Sequence, residues 1–211
     1  MPHRLNLATW NRRAHFDFFR SFDEPFFGVT SRVPCTGAYE RCEAAGHSFF
    51  LYYLHATLSA VHAVTPFRYR IDAEGVMVHE QVDASPTISR PDGTFGYAYV
   101  RYDPDFEAFQ AKAREEVARV RASTDLHPST ADDAVIHFSS LPWLNFTALS
   151  HPRPALTSAQ AVPDSAPKVC VGKRHRAEGT LQMPVSVHVH HALMDGQHVA
   201  QFFDVLTERL Q

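Results

Sequence analysis

The sequence predicts an α/β (α+β) domain in which a mixed β-sheet is covered by a few helices. Three observations carry that prediction. Met183 to His191 alternates with period two, as a strand does, and gives way at Asp195-Gly196 to Val199, Phe202, Phe203, Leu206 and Leu210 at helical spacing. Other strand-like stretches outnumber helical ones and are joined by hairpin signals, which disfavours an orderly βαβ array. The 211 residues are 45 % hydrophobic and 20 % charged, with neither an internal repeat nor a linker, so residues 1–211 read as one soluble domain with a full core.

The elements follow in order. Trp10 to Arg20 is rich in aromatics and reads as a short helix, and Phe26 to Val33 alternates like a strand. Between residues 46 and 64, Phe49, Phe50, Tyr53, Leu54, Thr57 and Val61 fall on one side of an amphipathic helix. Phe67–Ile71 and Gly75–His79 are strands around the turn Asp72-Ala73-Glu74-Gly75, and Thr94 to Tyr102 alternates again. Asp105 to Arg121 is a long helix with Phe106, Phe109, Ala113, Val117 and Val120 on one side. Val135 to Phe146 is strand-like but interrupted by Pro142, and residues 150–167, with several prolines and serines, are a loop. Pro167–Lys173 and Thr180–His191 are the last strands, joined through Glu178-Gly179, and the helix beginning after Asp195 closes the chain.

Composition excludes several classes of function. The net charge of −3 and the lack of a basic run disfavour nucleic acid as a partner. No apolar run approaches the ~20 residues of a membrane helix, and the first residues lack the apolar core of a signal peptide. Cys35, Cys42 and Cys170 fit no metal spacing and point to free thiols in a reducing, cytoplasmic compartment.

His191 stands at a strand end, four residues before an aspartate that is placed to cap a helix. Such a mount holds an imidazole rigidly and keeps it neutral near physiological pH, which is what a general base needs. Asp195 is placed either to bond the ring directly or to pair with an arginine and brace the turn. An ordinary N-cap after a histidine-bearing strand would use the same residues. His188, His190, His191 and His198 raise the alternative of a metal, but neither Cys-x-x-Cys nor His-Glu-x-x-His is present, so no metal is expected. Cys170 lies on an apolar strand and reads as an inert thiol. Gly-x-Ser-x-Gly is absent, so Ser139 and Ser140 read as hydrogen-bond donors rather than nucleophiles.

Three segments together resemble the trimeric chloramphenicol acetyltransferases. They are Trp10-x-Arg12-Arg13-x-His15-Phe16, Ser139-Ser140-Leu141-Pro142-Trp143-Leu144-Asn145-Phe146, and Pro184 through His191 continuing to Ala192-x-x-Asp195-Gly196-x-His198-Val199-Ala200. The last segment alone is also similar to the catalytic domain of dihydrolipoamide acyltransferases; the first two favour the chloramphenicol enzymes. The resemblance implies the coenzyme A-dependent acyltransferase fold and O-acetylation of chloramphenicol by acetyl-CoA in a ternary complex, without an acyl-enzyme. It implies His191 as the general base, its ring oriented through its own backbone carbonyl. It implies Ser139 as the donor to the oxyanion, Asp195 paired with Arg12 as a brace, and Lys173 near the coenzyme. Phe18, Phe19 and Cys170 match acceptor-pocket positions. The family is a homotrimer with each active site between subunits. Two departures bear on the acceptor: Phe19 replaces a tyrosine and Cys170 a threonine, each removing a hydroxyl. An acetyltransferase acting on another alcohol, and a non-catalytic relative that binds coenzyme or drug, are the alternatives.

Overall fold

The computed structural model describes residues 1–129, 133–153 and 164–211. The strands are β1 (His3–Arg4), β2 (Phe26–Pro34), β3 (Tyr69–Asp72), β4 (Gly75–Val78), β5 (Asp83–Ser89), β6 (Phe95–Tyr97), β7 (Val135–Leu141), β8 (Lys168–Gly172), β9 (His175–Ala177) and β10 (Thr180–His190). The helices are α1 (Arg13–Phe19), α2 (Thr36–Ala45), α3 (Phe49–Ala63), α4 (Phe106–Ala122) and α5 (Gly196–Leu210). The main sheet runs β2-β10-β8-β7-β5-β6, with β9 pairing the first residues of β10, and β1-β4-β3 form a smaller sheet. β7 is parallel to β5 and β8, whereas β10 is antiparallel to β2 and β8, so the sheet is mixed as the sequence predicts.

Period-two alternation divides the main sheet into two unlike faces. Met183, Val185, Val187 and Val189 of β10 are buried in the core. The core also takes in Leu54 and Leu58 of α3, Phe109 of α4, and Val199, Phe202, Leu206 and Leu210 of α5. The opposite face of β10 carries Pro184, Ser186, His188 and His190. Its neighbours follow from register: Ser139, Cys170, Ser186 and Thr30 lie side by side, and so do His137, Lys168, His188 and Gly28. Phe138 packs toward Tyr53, and Ser140 bonds the Tyr53 hydroxyl at 2.8 Å, so β7 presents these residues to α3 and Ser139 to the other face.

Several elements differ from expectation. α3 is buried on nearly every side, because α2, α4 and α5 all pack around it. The region before it holds a second helix, α2, whose polar sequence has no clear apolar stripe. It ends at Gly46 in the left-handed conformation (φ 68°), a backbone shape glycine adopts without strain. Ser48 then caps α3 by accepting from the Leu51 N–H. Phe67 sits in a 3-10 turn, Thr65–Arg68, rather than in a strand, and stacks on Phe202 at 4.8 Å. Thr94–Tyr102 supplies only the short β6, plus a bridge from Val100 to Ala84. β5 passes unnoticed in the sequence because Pro86 interrupts its pattern. Of the loop expected at 150–167, residues 154–163 lie outside the described residues.

Candidate active site

β10 ends in a tight turn that fixes His191. The His191 N–H donates to the Pro25 carbonyl at 2.8 Å, and the Leu193 and Met194 N–H groups both return to the His190 carbonyl, at 2.9 and 3.3 Å. Ala192, Leu193 and Met194 are fully buried, so the turn is anchored by its own side chains. Asp195 closes it as the N-cap of α5, accepting from the Gln197 N–H at 3.1 Å. His198 Nδ1 lies 2.9 Å from the same carboxylate.

The imidazole of His191 is sandwiched. Phe19 stacks on it at 3.9 Å between ring centres and 6° between planes, and Phe27 lies 4.6 Å away. Its Nδ1 sits 3.2 Å from the Met194 carbonyl. A carbonyl only accepts, so Nδ1 carries a proton, and in the neutral ring Nε2 is left with a bare lone pair. The Met194 carbonyl is thus an orienting group for this ring, where the resemblance implies the histidine's own carbonyl. Asp195 does not bond the His191 ring. It pairs with the Arg12 guanidinium, whose other terminal nitrogen reaches the His191 carbonyl at 3.4 Å. The brace reading of Asp195 is the one the geometry selects. Burial raises the Asp195 carboxyl, but Arg12, His198 and the Gln197 N–H together outweigh it and hold it below its ordinary value.

His190, on the face of β10 opposite the core valines, is nearly fully buried. Burial lowers its pKa to about 4, and Nδ1 accepts from the Ala192 N–H. Cys170 is completely buried, and burial alone pushes its thiol up to about 12, so it is an unreactive neighbour of Ser139. Phe18 is 61 % exposed beside Phe19 and Phe22. Among the described residues no three His, Cys, Asp or Glu side chains gather as metal ligands do. No helix among them is long and apolar enough to cross a membrane.

A cleft of about 950 Å³ opens at the carboxyl ends of β7 and β8. Its walls include the first turn of α3, Tyr53, one side of α4, Ser140 to Trp143, and Gly172 to Arg176. Lys173 lines it, with Arg174 beside it, and Arg114, Arg121 and Arg176, which the sequence reading did not single out, join them. The seven-residue spacing of Arg114 and Arg121, which places both on one face of a helix, was the available signal.

Within a single chain Ser139 and His191 do not converge. Ser139 lies level with Ser186 across β8, and His191 is five residues beyond Ser186, just past the end of β10. At ~3.3 Å per residue and ~4.8 Å per strand, the two are on the order of 19 Å apart. They are joined at one reaction centre only if a second copy supplies one of them.

The mixed sheet thus carries an aromatic-clamped histidine just past the end of β10 and a cationic cleft at the ends of its parallel strands, and comparison with known proteins makes the chain an acyltransferase. The family model for chloramphenicol acetyltransferase matches residues 2–207. The chain is 27 % identical over 207 residues to chloramphenicol acetyltransferase 3 of Escherichia coli, covering 97 % of this chain and 95 % of that one. A solved structure named chloramphenicol acetyltransferase superposes with a TM-score of 0.90 at 32 % identity, covering both chains fully. A dihydrolipoamide acetyltransferase of Azotobacter vinelandii shares the fold at a TM-score of 0.64 and 17 % identity, over 93 % of this chain and 85 % of that one. The chain belongs to the chloramphenicol acetyltransferase family.

Proposed function

We propose that the protein moves the acetyl group of acetyl-CoA to a hydroxyl of chloramphenicol in a ternary complex, with residues 1–211 acting as one acetyltransferase domain. The observation that carries this reading is the His191 ring held through Nδ1 by the Met194 carbonyl and flat by Phe19, which in the neutral imidazole frees Nε2 to accept a proton. Nε2 takes the acceptor's hydroxyl proton as the oxygen attacks the thioester carbonyl. The Ser139 hydroxyl donates to the oxygen that gains the negative charge. When the intermediate collapses, the C–S bond breaks and the thiolate takes the proton back from His191. A positioned base contributes ~10²–10⁴ in rate.

The centre is assembled between copies in a homotrimer, His191 coming from one subunit and Ser139 from the next. The separation of these residues within one chain supports that reading. Phe18 and Phe19 border the acceptor, with the buried Cys170 beside Ser139; Lys173 and its cationic neighbours hold the coenzyme, and Arg12 with Asp195 brace the turn. No metal takes part. Three unpaired, buried cysteines suit a reducing cytoplasm.

A second reading, acetylation of another alcohol, is favoured by Phe19 and Cys170, where hydroxyls that would bond the drug are missing. Release of coenzyme A thiol from acetyl-CoA decides between them. Release that depends on chloramphenicol is the expected result. Release only with other alcohols supports the second reading. Coenzyme or drug binding with no release to any acceptor overturns both in favour of a binding protein.

A further inference from the structure

Seven basic side chains, Arg4, Arg12, Arg13, Lys112, Arg119, Arg153 and Lys168, each meet a carboxylate. The cleft gathers five that do not. Among the described residues, none of Arg114, Arg121, Lys173, Arg174 and Arg176 has a carboxylate within ion-pair distance. Arg114 is bonded to Gln110 and the Gly46 carbonyl, Arg174 to the Tyr39 hydroxyl, and Arg176 to the Gly179 carbonyl. Five cations without acidic partners around one cleft repel one another, and a polyanion relieves that repulsion.

The cations stand on two walls. Arg114 and Arg121 lie two turns apart on α4, ~10 Å along its axis. Lys173, Arg174 and Arg176 lie on the segment from the end of β8 into β9. Arg174 differs from the others in being held flat. Its guanidinium lies 4.3 Å above the Tyr39 ring, bonds the Tyr39 hydroxyl at 3.2 Å, and has Phe49 at 5.9 Å. A planar fork already fixed by stacking gives up little freedom on binding and suits a phosphomonoester, which offers two or three oxygens and nearly two charges at one point. A pyrophosphate spreads its charge over a longer segment, which matches the spaced pair on α4.

We propose that Arg174, preorganised on Tyr39, selects the 3′-phosphate of the coenzyme, while Arg114 and Arg121 hold its pyrophosphate. The proposal rests on the coenzyme reading and deepens it. Arg174 thereby becomes the residue that distinguishes coenzyme A from its 3′-dephospho form.

Calorimetric titration of the intact protein with coenzyme A and with 3′-dephospho-coenzyme A tests it. The wild type is expected to bind coenzyme A about tenfold or more tightly than the dephospho form, the scale of one charge-assisted contact. Arg174→Gln is expected to collapse that preference by weakening coenzyme A alone. Arg174→Lys is expected to restore part of it, and keeps the test open if the glutamine variant fails to fold. Arg121→Gln is expected to weaken both ligands alike and leave the preference standing. A preference that survives Arg174→Gln and Arg174→Lys, or that disappears with Arg121→Gln, overturns the assignment. Equal binding of both ligands by the wild type overturns Arg174's role but leaves the coenzyme reading intact. Binding of neither removes the coenzyme reading itself.

Discussion

At the scale of residues, the proposed chemistry depends on one imidazole being held immobile with one ring nitrogen already bonded. The Met194 carbonyl holds the Nδ1 proton and Phe19 fixes the plane, so the ring is presented to substrate in one tautomer. Replacing His191 with Ala is expected to lower kcat by 10²–10⁴ or more without altering the denaturation midpoint, since its ring is only partly buried. Steady-state kinetics beside a denaturant titration would check both halves, and a variant retaining most of its turnover would remove His191 from the role of base. Phe19 bears on a second prediction. Its ring faces the imidazole, so a hydroxyl added at its far end extends away from the stack without disturbing it. Phe19→Tyr is expected to tighten chloramphenicol binding by about 0.5–1.5 kcal/mol, the worth of one hydrogen bond. Equilibrium dialysis with the drug reads this directly, and unchanged or weaker binding places the phenyl edge outside the acceptor pocket.

At the scale of elements, the strand–turn–helix from β10 to α5 was legible in the sequence because every local signal agreed: alternation, an N-cap, then helical periodicity. Which partner Asp195 takes was not legible. Arg12 lies 183 positions away, and its approach is set by tertiary packing that no local pattern announces. The missing α2 and β5 have the same cause, since neither carries a strong apolar period of its own and both are set by what packs on them. The two jobs of Asp195 can be separated by mutation. Asn still caps a helix while removing the charge opposite Arg12. Asp195→Asn is therefore expected to lose about 1–2 kcal/mol and much of the activity, and Asp195→Ala a further ~1 kcal/mol for the lost cap. Equal stability of the two variants, measured by urea unfolding, would refute the capping contribution. β10 also carries a pH dependence. His190 titrates near 6.5 when unfolded and at about 4 in the fold, because burial disfavours its charged form. The unfolded chain thus binds the extra proton as pH falls below 6.5, and stability drops through that window until about pH 4, by on the order of 3 kcal/mol. His190→Asn should flatten the slope of unfolding free energy against pH over that range; an unchanged slope assigns acid sensitivity to other groups.

At the scale of the whole molecule, the sheet itself argues for assembly. Register puts Ser139 and His191 too far apart for one thioester to meet both, and the exposed Phe18 beside the clamped Phe19 leaves an apolar surface next to the base. A closed ring of identical subunits repeats one interface, so each active centre would draw His191 from one copy and Ser139 from its neighbour. That arrangement makes a quantitative prediction. His191→Ala chains keep an intact Ser139, and Ser139→Ala chains keep an intact His191. Each variant alone is nearly inactive. When equal amounts are unfolded together and refolded, about one interface in four joins an intact histidine to an intact serine, whatever the number of subunits in the ring. Specific activity should therefore recover to about a quarter of wild type, and chromatography of the mixture should give a single oligomer. Recovery no greater than the sum of the separately refolded variants would mean that both groups act within one chain, and the sheet would have to bend far from its present register to let them.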